Sequence, residues 1–247
     1  MKALIWDFDG TLASRDGMWT GTLVTVASRF LPDRPVTRDE IRPFLQTGFP
    51  WHTPELPHVN HTADQWWAAL NAVFARAYVG IGIDHGLAHD LAARVRQVFL
   101  EESQWRVFDD VLPCLTALQR VGWAHYMLSN HVPELSQLVH ALGLSSFFVD
   151  VVSSGCTGYE KPHPEAFRGL LRKLPVGSTA WMIGDSLAAD VEGAEHVGLP
   201  ALLVRKQQPG ARYYCESLMG IEGILNTQPG AGTVLGDPRL AHGQAQR

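Results

Sequence analysis

The sequence predicts an α/β fold: a parallel β-sheet flanked by helices, with a helical insert after the first strand. Three observations point there. Five short apolar runs each stop at a polar or Gly-containing loop. Segments with helical spacing separate the later runs. Far more chain lies between the first run and the second than a simple crossover needs.

The first run is Ala3 to Trp6, ending at Asp7. A continuous apolar stretch of that length fits a strand buried on both faces. Ala124 to Leu128 ends at Ser129-Asn130, and Phe147 to Val152 ends at Ser153-Ser154-Gly155. Thr179 to Ile183 ends at Gly184-Asp185, and Ala201 to Val204 ends at Arg205-Lys206. Between them, Val111 to Val121 carries Leu112, Leu115 and Leu118 at helical spacing before Gly122. Pro133 to Leu142 opens with Pro in its first turn and stops at Gly143. Pro164 to Leu174 and Leu187 to Val197 complete the set. Strand and helix in alternation imply parallel strands with right-handed crossovers.

More than a hundred residues separate Asp9 from Ala124. A βαβ link takes about 30, so roughly 80–90 residues are inserted. Thr20 to Leu31, Thr37 to Leu45, Ala63 to Tyr78 and Leu87 to Glu102 are its predicted helices. Phe49 to Pro57 is Pro-rich and cannot be helix interior. The expected organisation is a core of residues 1–13 and 105–226, a helical cap of 14–104, and a loose tail of 227–247 rich in Gly, Pro, Ala and Gln. No internal repeat is present.

The formal charge of −5 disfavours an electrostatic grip on nucleic acid or anionic lipid. Cys114, Cys156 and Cys215 are odd in number and far apart, which suits free thiols in a reducing cytoplasm. The N-terminal apolar stretch is too short for a signal peptide, and no run reaches membrane length. A soluble cytoplasmic protein is expected.

Four segments carry chemistry. Asp7-Phe8-Asp9-Gly10-Thr11 follows the first strand. Residues i and i+2 of an extended chain share a side, so Asp7 and Asp9 can act together. Asp7 can attack phosphorus in line once charge around it is neutralised. Asp9 can then protonate a leaving oxygen. Taken alone, the segment is also compatible with a solvated Asp-Gly turn. Ser129-Asn130 can hold a phosphoryl oxygen, or equally cap a helix. Lys161, before Pro162-His163-Pro164, can neutralise charge on a phosphate, or be an ordinary surface lysine. Asp185 can ligate Mg²⁺ and Asp190, one helical turn on, can support it; a helix cap with a first-turn acid is the plain alternative. All four follow predicted strands and so share the carboxyl edge of one parallel sheet, where open α/β sheets bind ligands. Acids gathered there repel one another unless a cation intervenes.

In order and type, these segments resemble the four motifs of the haloacid dehalogenase (HAD) superfamily, phosphatase type with a helical cap. The resemblance covers residues 1–13 and 105–205. It implies a Rossmann-like sheet of strand order 5-4-1-2-3. It also implies Asp7 as nucleophile and metal ligand, and Asp9 as general acid/base binding Mg²⁺ through its backbone carbonyl. Asp185 becomes the third metal ligand, with Asp190 behind it. Lys161 and Ser129 hold the phosphoryl group, with Thr11 and Asn130 as further phosphate-binding candidates. Family dehalogenases lack the acid at position 9, and ion-pump ATPases carry Thr there. Asp9 therefore favours hydrolysis of a small phosphorylated metabolite, with Mg²⁺ as cofactor. A β-phosphoglucomutase-like mutase shares all four motifs and stays open, as does a catalytically silent module on the same fold. Phosphonate hydrolysis would need a Schiff-base lysine in the cap, and residues 14–104 contain none.

Trp19, Trp51, His52, Trp66 and Trp67 stand out in the insert. They are either an aromatic wall above the substrate or cap packing. His85 and His89 have the i, i+4 spacing of a metal-binding helix, but no third ligand accompanies them.

Overall fold

A computed structural model describes residues 1–58, 62–227 and 233–234. The five apolar runs form β1 (Lys2–Trp6), β4 (Trp123–Ser129), β5 (Phe148–Ser153), β6 (Thr179–Gly184) and β7 (Ala201–Val204). The sheet runs β5-β4-β1-β6-β7, with all these neighbours parallel. Counting the five runs in sequence order, this is the implied 5-4-1-2-3 arrangement. Two additions differ in detail. A short strand β8 (Tyr214–Cys215) extends the edge beyond β7, and β9 (Thr233–Val234) pairs antiparallel with the start of β6. Those last two residues belong to the tail expected to be loose; 228–232 and 235–247 lie outside the described residues.

Strand alternation gives the sheet two buried faces. Leu4 and Trp6 of β1 enter one core with Trp181, Ile183 and Leu202. Ala3 and Ile5 enter the other with Met182, Leu203 and Phe167. Because both faces are covered, the strands read as unbroken apolar runs rather than alternating ones. The parallel direction places Asp7, Ser129 and Asp185 at one edge.

The insert contains α1 (Met18–Phe30), α2 (Arg38–Ile41), α3 (Ala63–Gly80) and α4 (His85–Phe99). Thr37 and Glu40 form a reciprocal capping box on α2. The helix expected over 37–45 is shorter: after Ile41 the chain tightens into a 3₁₀ turn, Arg42–Leu45, around Pro43, which has no N–H to offer an α-helical bond. The Pro-rich segment holds only one 3₁₀ turn, Pro50–His52. The stems of the insert pair with each other as β2 (Ala13–Arg15) and β3 (Trp105–Val107), antiparallel. Three-residue strands carry too little alternation to be seen in sequence.

Core helices are α5 (Val111–Arg120), α6 (Leu135–Ala141), α7 (Ser154–Thr157) and α8 (Pro164–Leu171). The helix expected over 187–197 begins instead as a wide π turn, Leu187–Glu192, before one α turn at Gly193–His196. Such insertions are frequent at functional sites. Among the described residues no helix is long and apolar enough to cross a membrane.

Candidate active site

The backbone N–H of Asp7 donates to Ile183 of β6 at 2.9 Å, fixing the first residue past β1 against its neighbour strand. Gly10 then turns the chain away with φ of 80°. A Cβ there would lie 2.5 Å from an Asp185 carboxylate oxygen, so this position admits only glycine without a shift. The close approach is what lets β6 deliver Asp185 to the same site.

Lys161 is the hub. Its Nζ donates to Asp7 Oδ1 at 2.8 Å and to Asp190 Oδ1 at 2.5 Å, and its side chain is 2% exposed. Burial works against its charge, yet Asp190 and Asp7 together hold the ammonium above the ordinary lysine range. Asn130 positions it from both sides: its Nδ2 donates to Lys161 O at 2.8 Å, and its Oδ1 accepts the Lys161 N–H at 2.7 Å. Ser129 Oγ donates to Asp7 Oδ1 at 2.9 Å. Thr11 is fully buried and donates to Asp7 Oδ2 at 3.3 Å, touching the carboxylate rather than the open cleft. The predicted site residues are thus brought together, with Thr11 set behind the others.

Asp7, Asp185 and Asp190 each offer an oxygen within 4.8 Å of the other two. Both Asp190 oxygens are engaged, one by Lys161 and the other by the Ser186 N–H at 3.0 Å. Asp190 is therefore better suited to fix Lys161 and the π turn than to bind an ion. Hard carboxylate oxygens suit Mg²⁺. Burial, with the Asp7 charge, raises Asp185. Burial and the charges of Asp7 and Asp185 hold the Asp9 carboxyl well above the usual range, with Lys161 pulling the other way.

Several contributors escaped sequence reasoning. His131 is buried beside Asp9, packed against Phe8, Phe99 and Trp105. Arg205 donates to Thr11 O at 3.0 and 2.8 Å and pairs with Asp110 at 2.8 Å, bracing the Asp7 loop from below. It adopts φ of 74°, a strained value for a non-glycine residue. The cap docks on Glu134, which accepts the Trp67 indole N–H at 3.0 Å and pairs with Arg96 at 2.5 Å. No motif marks these positions; only the Arg205-Lys206 end of a strand hinted at one.

Trp66 and Trp67 are both buried, so packing accounts for them. Trp19 and Trp51 line the cleft above the acids. The His85 and His89 rings lie 4.6 Å apart, tilted by 49°, outside the acidic cluster.

A parallel sheet with a capped acidic edge and a buried lysine defines a class of hydrolase, and comparison with known proteins agrees. The family model of haloacid dehalogenase-like hydrolases matches residues 1–198. The chain belongs to that family. It is 29% identical over 150 residues to haloacid dehalogenase-like hydrolase domain-containing protein 3 of Bos taurus, covering 60% of this chain and 59% of that one. It is 32% identical over 102 residues to a glyceraldehyde 3-phosphate phosphatase of Methanopyrus kandleri, covering 40% and 43%. These matches span about three-fifths or less of the relatives' length. Among solved structures, the magnesium-bound HAD-hydrolase YfnB of Bacillus subtilis shares the fold with a TM-score of 0.71 at 23% identity, covering 91% of this chain and 98% of that one.

Proposed function

We propose that this hydrolase is a Mg²⁺-dependent phosphatase that cleaves small organic phosphate monoesters through an aspartyl-phosphate on Asp7. The observation that carries it is the pair Asp7 and Asp9 in one loop, with Lys161 Nζ on Asp7 at 2.8 Å and Asp185 beside them. Asp7 attacks phosphorus while Asp9 gives its proton to the departing alcohol oxygen. Asp9, now a carboxylate, takes a proton from the water that attacks the aspartyl-phosphate, and inorganic phosphate leaves. Lys161, Ser129 and Asn130 hold the phosphoryl oxygens and offset their charge. Asp7, Asp185 and the Asp9 backbone carbonyl would hold Mg²⁺, with Asp190 in support; when bound, the ion neutralises carboxylate and phosphate charge.

Support comes from the phosphatase named among the relatives and from the magnesium named for YfnB. Residues 14–104 serve as the cap on a core of 1–13 and 105–226. The three cysteines are free, which suits a reducing cytoplasm. The test is hydrolysis of p-nitrophenyl phosphate and a panel of alkyl phosphates with Mg²⁺ or EDTA. Activity should require Mg²⁺ and vanish in a folded Asp7→Asn variant. Substantial Mg²⁺-dependent turnover by that variant would remove Asp7 as nucleophile.

A further inference from the structure

The cleft above Asp7 has a volume of about 600 Å³, ample for a small metabolite. Its two halves differ in chemistry. The floor is the acidic site with Lys161. The wall and roof are Met18, Trp19, Trp51, Pro54, Phe99 and Val132.

The roof is held rigidly. The Trp19 ring stacks on Phe99 at 4.2 Å with 7° between planes. Trp51 stacks on Phe49 at 4.6 Å and lies 6.0 Å from Trp19 at 20°. Met18 reaches the cleft with φ of 44°, a strained backbone of the kind found at ligand sites. Trp19 and Trp51 remain partly exposed, so their surfaces face the space a substrate's organic part would fill.

Positive charge is missing from this wall. Residues 14–104 contain eight arginines and no lysine. None of them lines the cleft among the described residues. Arg29, Arg38, Arg42 and Arg96 are each paired with a carboxylate. Arg15 and Arg34 bond Thr22 and the Ile81 carbonyl, and Arg94 lies over Phe30 at 4.1 Å. Arg76 borders a separate surface hollow with Phe44 and His85. In the core, Lys161 lies at the acidic floor, bound to Asp7 and Asp190 and assigned to the phosphoryl group, and Lys206 pairs with Asp185 at 3.3 Å. A second anionic group on the substrate would lose its water against aromatic rings and meet no counter-charge.

We propose that the cleft selects monoesters whose only charged group is the phosphate, with an uncharged apolar alcohol part that lies against Trp51. This rests on the phosphatase function above and narrows it. It disfavours phosphorylated acids and sugar bisphosphates, and with the latter a mutase.

Two phosphonates separate the alternatives without turnover: 2-phenylethylphosphonate and 3-phosphonopropionate. They share the phosphoryl mimic and differ in a phenyl group against a carboxylate. Titrated calorimetrically into the full chain with Mg²⁺, the phenyl compound should bind at least about tenfold more tightly. In Trp51→Ala the ratio should fall below about threefold, and in Trp51→Phe it should stay near the wild-type value. Equal or tighter binding of 3-phosphonopropionate would overturn the proposal, as would an unchanged ratio in folded Trp51→Ala. Ester hydrolysis reads the phosphatase function alone, so the two claims fail separately.

Discussion

His131 Nε2 stands 3.7 Å from Asp9 Oδ2, and neither ring nitrogen of His131 has a hydrogen-bond partner among the described residues. Asp9 Oδ1 is likewise buried without one. Two unsatisfied groups side by side at the floor of the cleft are costly unless they serve something. Burial pushes the His131 imidazole down to about 4, so it is neutral and carries one N–H that a small movement can aim at Asp9.

If His131 orients Asp9, its loss should imitate the loss of the acid. Asp9→Asn is expected to slow alkyl phosphates, with poor leaving groups, far more than p-nitrophenyl phosphate. His131→Phe should do the same more weakly, by about tenfold in kcat on alkyl esters. His131→Gln, which keeps a donor, should recover part of it. A uniform loss across both ester classes would make His131 a packing residue only.

Mg²⁺ should stabilise the fold as well as activate it. Asp7, Asp185 and Asp190 each bring an oxygen within 4.8 Å of the other two, and a bound cation relieves their repulsion. Melting temperature should rise from EDTA to Mg²⁺, as about 2.7 kcal/mol of stabilisation at a hundredfold excess over Kd implies. Asp185→Asn should melt higher than wild type in EDTA and gain little from Mg²⁺. A variant that gains as much as wild type would exclude Asp185 from the ion site.

Arg205 braces the Asp7 loop by bonding the Thr11 carbonyl and Asp110. Arg205→Met takes the donor from the Thr11 carbonyl and from Asp110 Oδ1, while Ser217 and Leu218 still serve Asp110 Oδ2, at a cost of about 2 kcal/mol in urea unfolding. Because the brace sits on the turn that carries Asp7 and Asp9, kcat should fall while KM changes less. Steady-state kinetics on the folded variant separate the two effects.

His125 gives the fold a pH dependence remote from the acids. The Trp6 indole N–H donates to its Nδ1 at 3.0 Å, so the proton sits on Nε2, which donates to the Leu115 carbonyl at 3.1 Å. Burial lowers its pKa below 6.5, and the Leu115 carbonyl offsets this in part. The unfolded chain therefore binds a proton here before the folded one does. Its contribution is complete above about pH 6.5 and is lost as pH falls through the lower folded value. Urea midpoints measured from pH 8 to 5 should decline in wild type and decline less in His125→Gln.

The strands, their order and the four-part acidic edge were legible in sequence because each depends on local signals. An apolar run buried on both faces needs no partner to be recognised, and Asp7 and Asp185 stand at strand ends, whereas Lys161 follows the short helix α7 rather than β5 itself. What was hidden depends on distant chain. Arg205 meets Thr11 across 194 positions of chain, and His131 gains meaning only from the rings of Phe99 and Trp105 around it. The π turn at Leu187–Glu192 looked helical because its apolar spacing is helical; it carries Asp190 against Gly184, where a Cβ would collide with the carboxylate. The split at Pro43 was readable in principle, since proline there lacks the donor a continuous helix requires.

Glu134 has a mechanical consequence. It lies on the loop after β4, a few positions beyond Ser129, and its carboxylate is where Trp67 and Arg96 of the cap take hold. Lifting those helices pulls on the same short stretch of backbone that presents Ser129 to Asp7. Glu134 thus ties the helices of the insert to the stretch of backbone that carries Ser129, so a strain on one is felt by the other.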